Sequence, residues 1–330
     1  MELKDISAKR KGEFAKNPDQ ENFLEQMNAA LEPLDRAAYQ DYPIEHPFFF
    51  VVGLPRSGTT FTTQFLANAF NLSYVNNLAA RFYKAPLQGL KLSEQLLGPT
   101  KTSFKSNYAS TPELGDIHEF GYFWRYWLKK GSLEAVARAQ QDEAHIDWKG
   151  LKVCLASLQH HWGNASVFKN IFGSYHLPRL NQLLQNMVVV HVTRDPLDAA
   201  VSIYKARKKY YGDDISQWWS YSPPEVLDLV KLDPLDQIAG QVFYLRKFYA
   251  EQLRLLPQEK VIELEYQQIT QAPANTARQI QEQVKNGLGY ELTLQNDLPN
   301  AFTYRTNQAD EELRDIFNEK LSALEKSQGL

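Results

Sequence analysis

The fold is decided by Phe48-Phe49-Phe50-Val51-Val52-Gly53-Leu54-Pro55-Arg56-Ser57-Gly58-Thr59-Thr60, which runs into a helical pattern ending at Phe70. The apolar half of this stretch predicts a buried strand. The turn after it has a glycine at each end, which lets the backbone approach a ligand closely. Because the turn leads into a helix, backbone N–H groups without helical partners converge there, at the positive end of the helix dipole. The stretch therefore predicts a binding site for phosphate or sulfate.

The stretch departs from the ordinary phosphate loop, G-x-x-x-x-G-K-[ST], in one informative way. Gly53 and Gly58 keep the glycine spacing, but Thr59-Thr60 stands where lysine is expected and the cation is Arg56. The missing lysine argues against a magnesium-dependent NTPase and favours an anion held without a metal. The candidate anion ligands in this loop are Arg56, Ser57, Gly58, Thr59 and Thr60.

Composition limits the classes of protein that remain. A chain of 330 residues with 43% hydrophobic residues can form one α/β domain, and a net charge of −3 gives no overall attraction to nucleic acid. The only cysteine, Cys154, excludes an intramolecular disulfide and a cysteine-only zinc site. We find no signal-peptide pattern at the N-terminus and no apolar run of membrane-spanning length. The sequence therefore predicts a soluble, cytoplasmic protein.

A second informative stretch lies near the middle of the chain. The apolar run 187–192 predicts a parallel strand covered on both faces, and Thr193-Arg194-Asp195-Pro196 follows it. Arg194 thus leaves the carboxyl end of a strand, where open α/β sheets place their ligands. Ser202 lies about two helical turns further on and could reach the same ligand. The alternative for Arg194 is an ion pair with Asp195 or Asp198.

Predicted strands alternate with predicted helices along the chain. We expect an α/β, three-layer fold whose central, mostly parallel sheet has about five strands, similar to P-loop NTPases and flanked by helices. We interpret residues 1–330 as one domain. Residues 1–20 are predicted to be a mobile N-terminal arm, and residues 100–116 and 212–234 to be long loops.

The segment from Asp116 to Trp127 combines His118, Glu119 and an arginine with six aromatic residues. Flat aromatic faces beside charged groups suit a sugar or an aromatic ligand. The alternative is a buried aromatic helix with His118 and Glu119 at its polar start.

Together these motifs resemble the sulfotransferases that use 3′-phosphoadenosine 5′-phosphosulfate (PAPS), particularly the soluble bacterial-type enzymes. The loop 53–60 matches their 5′-phosphosulfate loop, and Val192-Thr193-Arg194-Asp195-Pro196 with Ser202 matches their 3′-phosphate motif. Tyr266 resembles the tyrosine after their late strand, and Lys169-Asn170 their lysine-containing turn. The resemblance extends from about residue 48 to about residue 280.

The resemblance implies in-line transfer of a sulfuryl group to a hydroxyl or amine of an unknown acceptor, such as a carbohydrate or a small aromatic or lipid-like molecule. The loops 100–116 and 212–234 would lie on the acceptor side. It implies PAPS as co-substrate, 3′-phosphoadenosine 5′-phosphate (PAP) as product, and no metal. Arg56 and Lys169 would stabilise developing charge, with Glu119 as the first candidate for the general base and His118 as the second. His176 resembles a family histidine but lies too far from Lys169, which favours a structural role at a helix start. The implied nucleotide ligands are Arg56, Ser57, Gly58, Thr59, Thr60, Arg194, Ser202, Tyr266 and Arg305.

Two other classes of protein remain open. One is a P-loop nucleotide kinase-like enzyme, and the other is a nucleotide-binding module that has lost its chemistry. The sequence predicts no nucleic-acid partner and gives neither the oligomeric state nor the identity of the acceptor.

Overall fold

A four-stranded, entirely parallel sheet forms the centre of the molecule. The computed structural model describes residues 1–105, 111–169, 171–295 and 298–328. The strand order is β2-β1-β3-β4. The strands are β1 Phe48–Gly53, β2 Ser166–Lys169, β3 Met187–Thr193 and β4 Val261–Glu265.

The prediction of about five strands was too high by one for the described residues. Beside β2, where a fifth strand would lie, Ser73 makes a single parallel bridge to Ser166. The chain then leaves the edge of the sheet. The Asn76 side chain donates a hydrogen bond to the Ser93 hydroxyl (2.6 Å) and accepts one from the Ala79 N–H (2.9 Å). This local bonding ends the pairing after one residue.

Helices surround the sheet and account for most of the remaining described chain. The α-helices are α1 Leu3–Ala8, α2 Pro18–Ala37, α3 Thr59–Phe70, α4 Pro86–Leu97, α5 Gly121–Leu128, α6 Leu133–Ala137, α7 Trp148–Trp162, α8 Leu177–Leu184, α9 Pro196–Tyr211, α10 Val226–Leu229, α11 Pro234–Arg254, α12 Tyr266–Gln271, α13 Pro273–Leu288 and α14 Glu311–Ser327. Short 3₁₀ turns lie at Gly12–Phe14, Ala79–Arg81, Glu143–His145, Gly173–His176 and Gln258–Lys260.

The side chains of β1 and β3 alternate between two hydrophobic clusters. Phe49 and Val51 belong to the cluster that contains α3, α12 and α13. Phe48 and Phe50 belong to the larger cluster that contains α5, α7, α8, α9 and α11. Because both faces of the sheet are covered, its two central strands, β1 and β3, are almost entirely apolar, whereas the edge strand β4 alternates apolar residues with exposed glutamates. The predicted three-layer α/β fold is confirmed.

The parallel arrangement brings four strand ends to one edge of the sheet. Gly53, Lys169, Thr193 and Glu265 are the last residues of the four strands. The residues that follow Gly53, Thr193 and Glu265 are the phosphate-type loop, Arg194 and Tyr266. The strand ends therefore assemble motifs that are far apart in sequence.

The N-terminal segment differs from the predicted mobile arm. Leu3–Ala8 is helical, the Leu3 N–H donates to the Gly131 carbonyl (2.9 Å), and the Lys11 N–H donates to the Tyr210 carbonyl (2.8 Å). Ile6 is buried, and the Phe14 ring stacks on the Tyr210 ring with centroids 4.0 Å apart. A few apolar residues spaced along a polar segment are thus enough to pack it against the domain.

The two predicted loops are only partly irregular. In the first, Asp116 accepts hydrogen bonds from the backbone N–H (2.6 Å) and hydroxyl (3.0 Å) of Ser103. Residues 106–110 of this loop, and Asn170 after β2, lie outside the described residues. The second loop contains the short helix α10.

Candidate active site

The loop after β1 needs both of its glycines. A Cβ on Gly53 would lie 2.5 Å from the Val192 carbonyl oxygen, so β3 leaves no room for a side chain. Gly58 has a φ of 97° and precedes α3, and a Cβ there would lie 2.3 Å from the Tyr266 ring. The first glycine therefore fits the loop against the sheet, and the second fits it under the aromatic ring.

Arg56 connects the two motifs found in the sequence. Its backbone lies in the left-handed region (φ 70°), which is uncommon for a side chain of this size. The Arg56 Nε donates to the Ser202 hydroxyl (2.9 Å), and the Arg194 Nη1 donates to the Arg56 carbonyl (2.9 Å). The first loop and the end of β3 with α9 thus form one structure, as the sequence predicts.

Arg194 has several partners at once. Its Nη2 pairs with Asp198 at 3.2 Å and also donates to the Arg305 carbonyl, and its guanidinium lies 5.3 Å from the centre of the Tyr266 ring. The Arg194 Nε is buried and has no hydrogen-bond partner among the described residues. The ion pair considered as an alternative therefore exists, but one donor of the same guanidinium stays unpaired in the structure.

The segment before α14 closes over these motifs. Arg314 pairs with Asp195 (2.8 Å) and with Asp198 (2.6 Å), and Asp198 also accepts the Asn307 N–H (3.0 Å). The Phe302 ring meets the Phe61 ring of α3 with centroids 4.9 Å apart. Asp198 thus fixes both Arg194 and the C-terminal segment.

These elements enclose a cavity of about 780 Å³, which we call the first cavity. It is lined by the loop after β1, the ends of β2 and β3, α9, Tyr266 and residues 302–307. Among the described residues its lining holds six cations and no carboxylate, so its field favours a multiply charged anion. The cations are Arg56, Lys105, Lys169, Arg194, Lys205 and Arg305.

A second cavity of about 450 Å³ adjoins the first. Its described lining includes His118, Glu119 and several aromatic side chains. It also includes three cations: Arg10 and Lys16 from the segment after α1, and Arg125 from α5. The two cavities share lining residues from the predicted acceptor-side loop and from the turn after β2: Ile171, Trp219, Ser220 and Tyr221.

The junction of the two cavities is marked by a chain of polar contacts. The Lys169 Nζ donates to the Thr60 hydroxyl (3.0 Å) and forms an ion pair with Glu119. Lys169 and Thr60 line the first cavity, and Glu119 lines the second. Lys169 is 9% exposed at its side chain and Glu119 29%, so the carboxylate is the more accessible partner.

The two histidine candidates occupy different surroundings. The His118 Nδ1 accepts the Phe120 N–H (2.8 Å), and burial lowers the pKa of His118 to about 4 against the opposing effect of Glu119. His176 is buried outside both cavities, with its Nδ1 2.8 Å from Glu143, and burial likewise lowers its pKa to about 4. The position of His176 at the start of α8 agrees with a structural role.

Several lining residues were not found by sequence reasoning. Lys205 lies three residues after Ser202 on α9, so helical spacing was a usable signal for it. Lys105, in a loop, and Arg10, in the predicted arm, had no such signal. Asn307, which lines the first cavity, and Arg314, which lines neither cavity, both form hydrogen bonds with Asp198, more than 100 residues away in sequence.

No helix among the described residues combines the length and the apolar character that a membrane crossing requires. No group of three or more histidine, cysteine or acidic side chains in the same residues is arranged to hold a metal ion.

Comparison with known proteins agrees with this architecture. The sequence profile of the sulfotransferase family matches residues 47–288. Among solved structures, sulfotransferase STF9 from Mycobacterium avium is 18% identical, with a TM-score of 0.52 over 90% of this chain and 81% of that one. Sulfotransferase STF1 from Mycobacterium tuberculosis H37Rv is 15% identical, with a TM-score of 0.53 over 91% and 81%. No curated protein sequence matches significantly.

Proposed function

The chain belongs to the sulfotransferase family, and from that premise we propose that it moves a sulfuryl group from PAPS to a hydroxyl or amine of an acceptor in the second cavity. The observation that carries the proposal is the Thr60–Lys169–Glu119 contact chain at the junction of the cavities. These contacts link the phosphate-type loop in the first cavity to a carboxylate in the second cavity. Such a juxtaposition is what transfer between two bound molecules requires.

The first cavity fits a nucleotide with two separate anionic ends. The 5′ end would be held by the loop 53–60, whose Arg56, Thr59 and Thr60 line the cavity, whereas the predicted ligand Ser57 is fully buried and does not line it. The 3′-phosphate would be held by Arg194 and Ser202, with Arg305 and Tyr266 beside them. The unpaired Arg194 Nε and the excess of positive charge in the lining support this assignment.

When bound, PAPS supplies the sulfuryl group and an activated leaving oxygen. Sulfuryl transfer resembles phosphoryl transfer, in which catalysis consists of positioning and of stabilising charge on peripheral and leaving oxygens. Arg56, Thr60 and the N–H groups at the start of α3 would stabilise the oxygens at the 5′ end. Lys169 bridges the Thr60 hydroxyl and Glu119, and so places a cation beside the point of transfer.

Glu119 is the better candidate for the general base. Its carboxylate lines the second cavity, where it would accept the proton of the attacking hydroxyl. In His118, Nδ1 already accepts a backbone N–H, so the ring proton of the neutral form resides on Nε2 and leaves no free basic nitrogen. We therefore assign the proton transfer to Glu119 and a positioning role to His118.

Isothermal calorimetry with PAP tests the donor assignment. We expect PAP to bind in the presence of EDTA, and ATP with Mg²⁺ to bind much more weakly. Tight ATP binding that requires Mg²⁺, with no binding of PAP, would overturn the proposal in favour of a kinase-like enzyme.

A transfer assay tests the chemistry. [³⁵S]PAPS is incubated with a panel of phenols, glycosides and hydroxylated lipids, and labelled products are separated by chromatography. We expect label in at least one acceptor, and a rate of labelling lower by about 10²-fold or more with the Glu119→Gln variant. Binding of PAP without transfer to any panel member would instead favour a non-catalytic nucleotide-binding module.

A further inference from the structure

The second cavity contains an excess of positive charge that the proposed transfer does not use. Its cations are Arg10, Lys16 and Arg125, all partly buried. Glu119, the only carboxylate in its described lining, is paired with Lys169. The donor nucleotide does not account for this charge, because these three cations line only the second cavity.

The three cations lie close together. The Lys16 Nζ and the Arg125 guanidinium are each 4.6 Å from the centre of the Tyr122 ring, so their charges are at most about 9 Å apart. Arg10 lies 5.1 Å from the centre of the Tyr210 ring. Burial and, to a smaller extent, the charges of Arg10 and Arg125 lower the pKa of Lys16, against the opposing effect of Glu21.

Glu21 does not neutralise the group. It pairs with Lys16 at 2.7 Å, whereas Arg10 and Arg125 have no ion-pair partner among the described residues. The Arg10 Nε is in addition buried, with no hydrogen-bond partner among the same residues. Burying like charges without counter-charges costs stability, and this cost is expected where a charged ligand completes the site.

We propose that the acceptor carries an anionic group, such as a carboxylate, sulfate or phosphate, which binds Arg10 and Arg125 while its hydroxyl faces Glu119. The inference rests on the proposed function, because it names the acceptor class of that site. The aromatic wall, including Tyr122, Tyr210 and Trp219, would cover the ring or apolar body between the two polar ends. A volume of about 450 Å³ limits this body to a small molecule or one end of a larger one.

A matched pair of fluorescent probes tests the proposal on the protein with and without saturating PAP. 6-Hydroxy-2-naphthoate and 6-hydroxy-2-naphthamide differ mainly in charge, and both place a hydroxyl opposite the variable group. We expect the acid to bind at least about tenfold more tightly than the amide, since hydrogen bonds to a charged group are the stronger ones. Arg10→Gln combined with Arg125→Gln should remove this preference and leave the affinity for the amide unchanged.

The controls separate binding from folding. Arg138→Gln removes an exposed arginine near α6 and should change neither affinity. Arg10→Lys and Arg125→Lys should keep part of the preference, and the two single glutamine variants serve if the double variant does not fold. A purely structural role for the arginines predicts a lower melting temperature in the double variant, whereas a ligand-binding role predicts an equal or higher one.

Equal affinity for the two probes, or no detectable binding of the acid at millimolar concentration, would overturn the proposal. Calorimetry with PAP is run on the same samples and reports separately on the donor site. If PAP fails to bind but the arginine-dependent preference remains, the proposed function fails and the anion site stands. If PAP binds and the preference is absent, the sulfotransferase proposal stands and the acceptor class is wrong.

Discussion

The two cavities share a wall but are built in different ways. The first lies at the edge where the parallel strands end, and two short motifs supply Arg56, Thr59, Thr60, Arg194 and Ser202 to its lining. The second is assembled from α1, the start of α5 and the loop before α10, which reach it through tertiary packing. In a parallel sheet, the residues just after the strands lie together at one edge and supply the binding groups. The lining of a cavity between helices comes instead from separate segments. Variants that affect one cavity and spare the other measure how separate the two are.

Glu119→Gln should give the largest effect and should spare the first cavity. Loss of the general base is expected to lower kcat by about 10²–10⁴-fold, because the acceptor proton then lacks a carboxylate to receive it. Affinity for PAP should change little. The measurements are steady-state transfer from [³⁵S]PAPS and calorimetry with PAP.

Glu113→Gln is the matched control, because Glu113 is an exposed carboxylate on the same segment. It should leave kcat unchanged. If Glu119→Gln weakened PAP binding as strongly as it slowed transfer, the two cavities would act as a single site.

Arg194→Met should produce the opposite pattern. Removing one partner of a buried charge pair typically costs about 2–5 kcal/mol, so loss of the cation that would pair with the 3′-phosphate is expected to weaken PAP binding by at least about 30-fold. Binding of an acceptor-cavity probe such as 6-hydroxy-2-naphthoate should remain. Calorimetry and fluorescence titration measure the two affinities.

Arg254→Met provides the comparison, since Arg254 is exposed and lies outside both cavities. Wild-type affinity for PAP in Arg194→Met would contradict the placement of the 3′-phosphate.

Gly58→Ala tests the fit of the loop under Tyr266. Its Cβ would lie 2.3 Å from the ring on a backbone with φ 97°, so we expect a loss of about 1–3 kcal/mol in the free energy of unfolding. Urea denaturation measures this quantity.

Combining Gly58→Ala with Tyr266→Ala should recover the part of the loss that comes from the clash and not the part from the backbone strain. Strict additivity of the two substitutions would show that the ring moves aside without cost.

His118→Asn should give the smallest effect, confined to acidic pH. Because the pKa of His118 falls to about 4 on folding, the unfolded chain binds more protons between pH 6.5 and 4, and wild-type stability decreases as pH falls through that range. Removing the histidine should flatten this dependence by up to about 2 kcal/mol at pH 5. Urea denaturation at pH 7 and pH 5 measures it.

His176→Asn should flatten the pH dependence in the same direction, since burial also lowers the pKa of His176 to about 4.

At pH 7, His118→Asn should keep kcat within about tenfold of wild type. A loss in His118→Asn as large as that in Glu119→Gln would make His118 the base.

The fold and the two motifs that line the first cavity could be predicted from the sequence because their signal is local. Strands β1 and β3 are continuous apolar runs, and a glycine or an arginine follows each at a fixed position. The hydrogen bond from Arg56 to Ser202 joins two motifs that can each be recognised separately in the sequence. The lack of a fifth strand among the described residues could not be predicted from the sequence, because it depends on a hydrogen bond from the Asn76 side chain to the Ser93 hydroxyl.

Most residues that line the second cavity could not be predicted from the sequence, because they come from separate segments that share no sequence pattern. Arg10 lies in a segment whose composition indicates mobility, yet Ile6 and Phe14 dock that segment and bring Arg10 into the cavity. Glu119 was singled out only through its aromatic neighbours. The cytoplasmic location and the absence of a nucleic-acid partner stay predictions from composition.

The closure of the first cavity by residues 302–307 has a consequence for synthesis on the ribosome. Arg56 emerges roughly 250 residues before Arg305, which at 5–20 residues per second is an interval of about 12–50 s. Asp198 emerges about halfway through that interval, and residues 302–307, which Asp198 holds through Asn307, emerge last. On the proposed function, we therefore expect donor nucleotide to stabilise the chain by mass action only once this C-terminal segment is in place. Pulse proteolysis of ribosome-bound chains should show protection by PAP only once residues beyond Arg314 have left the exit tunnel.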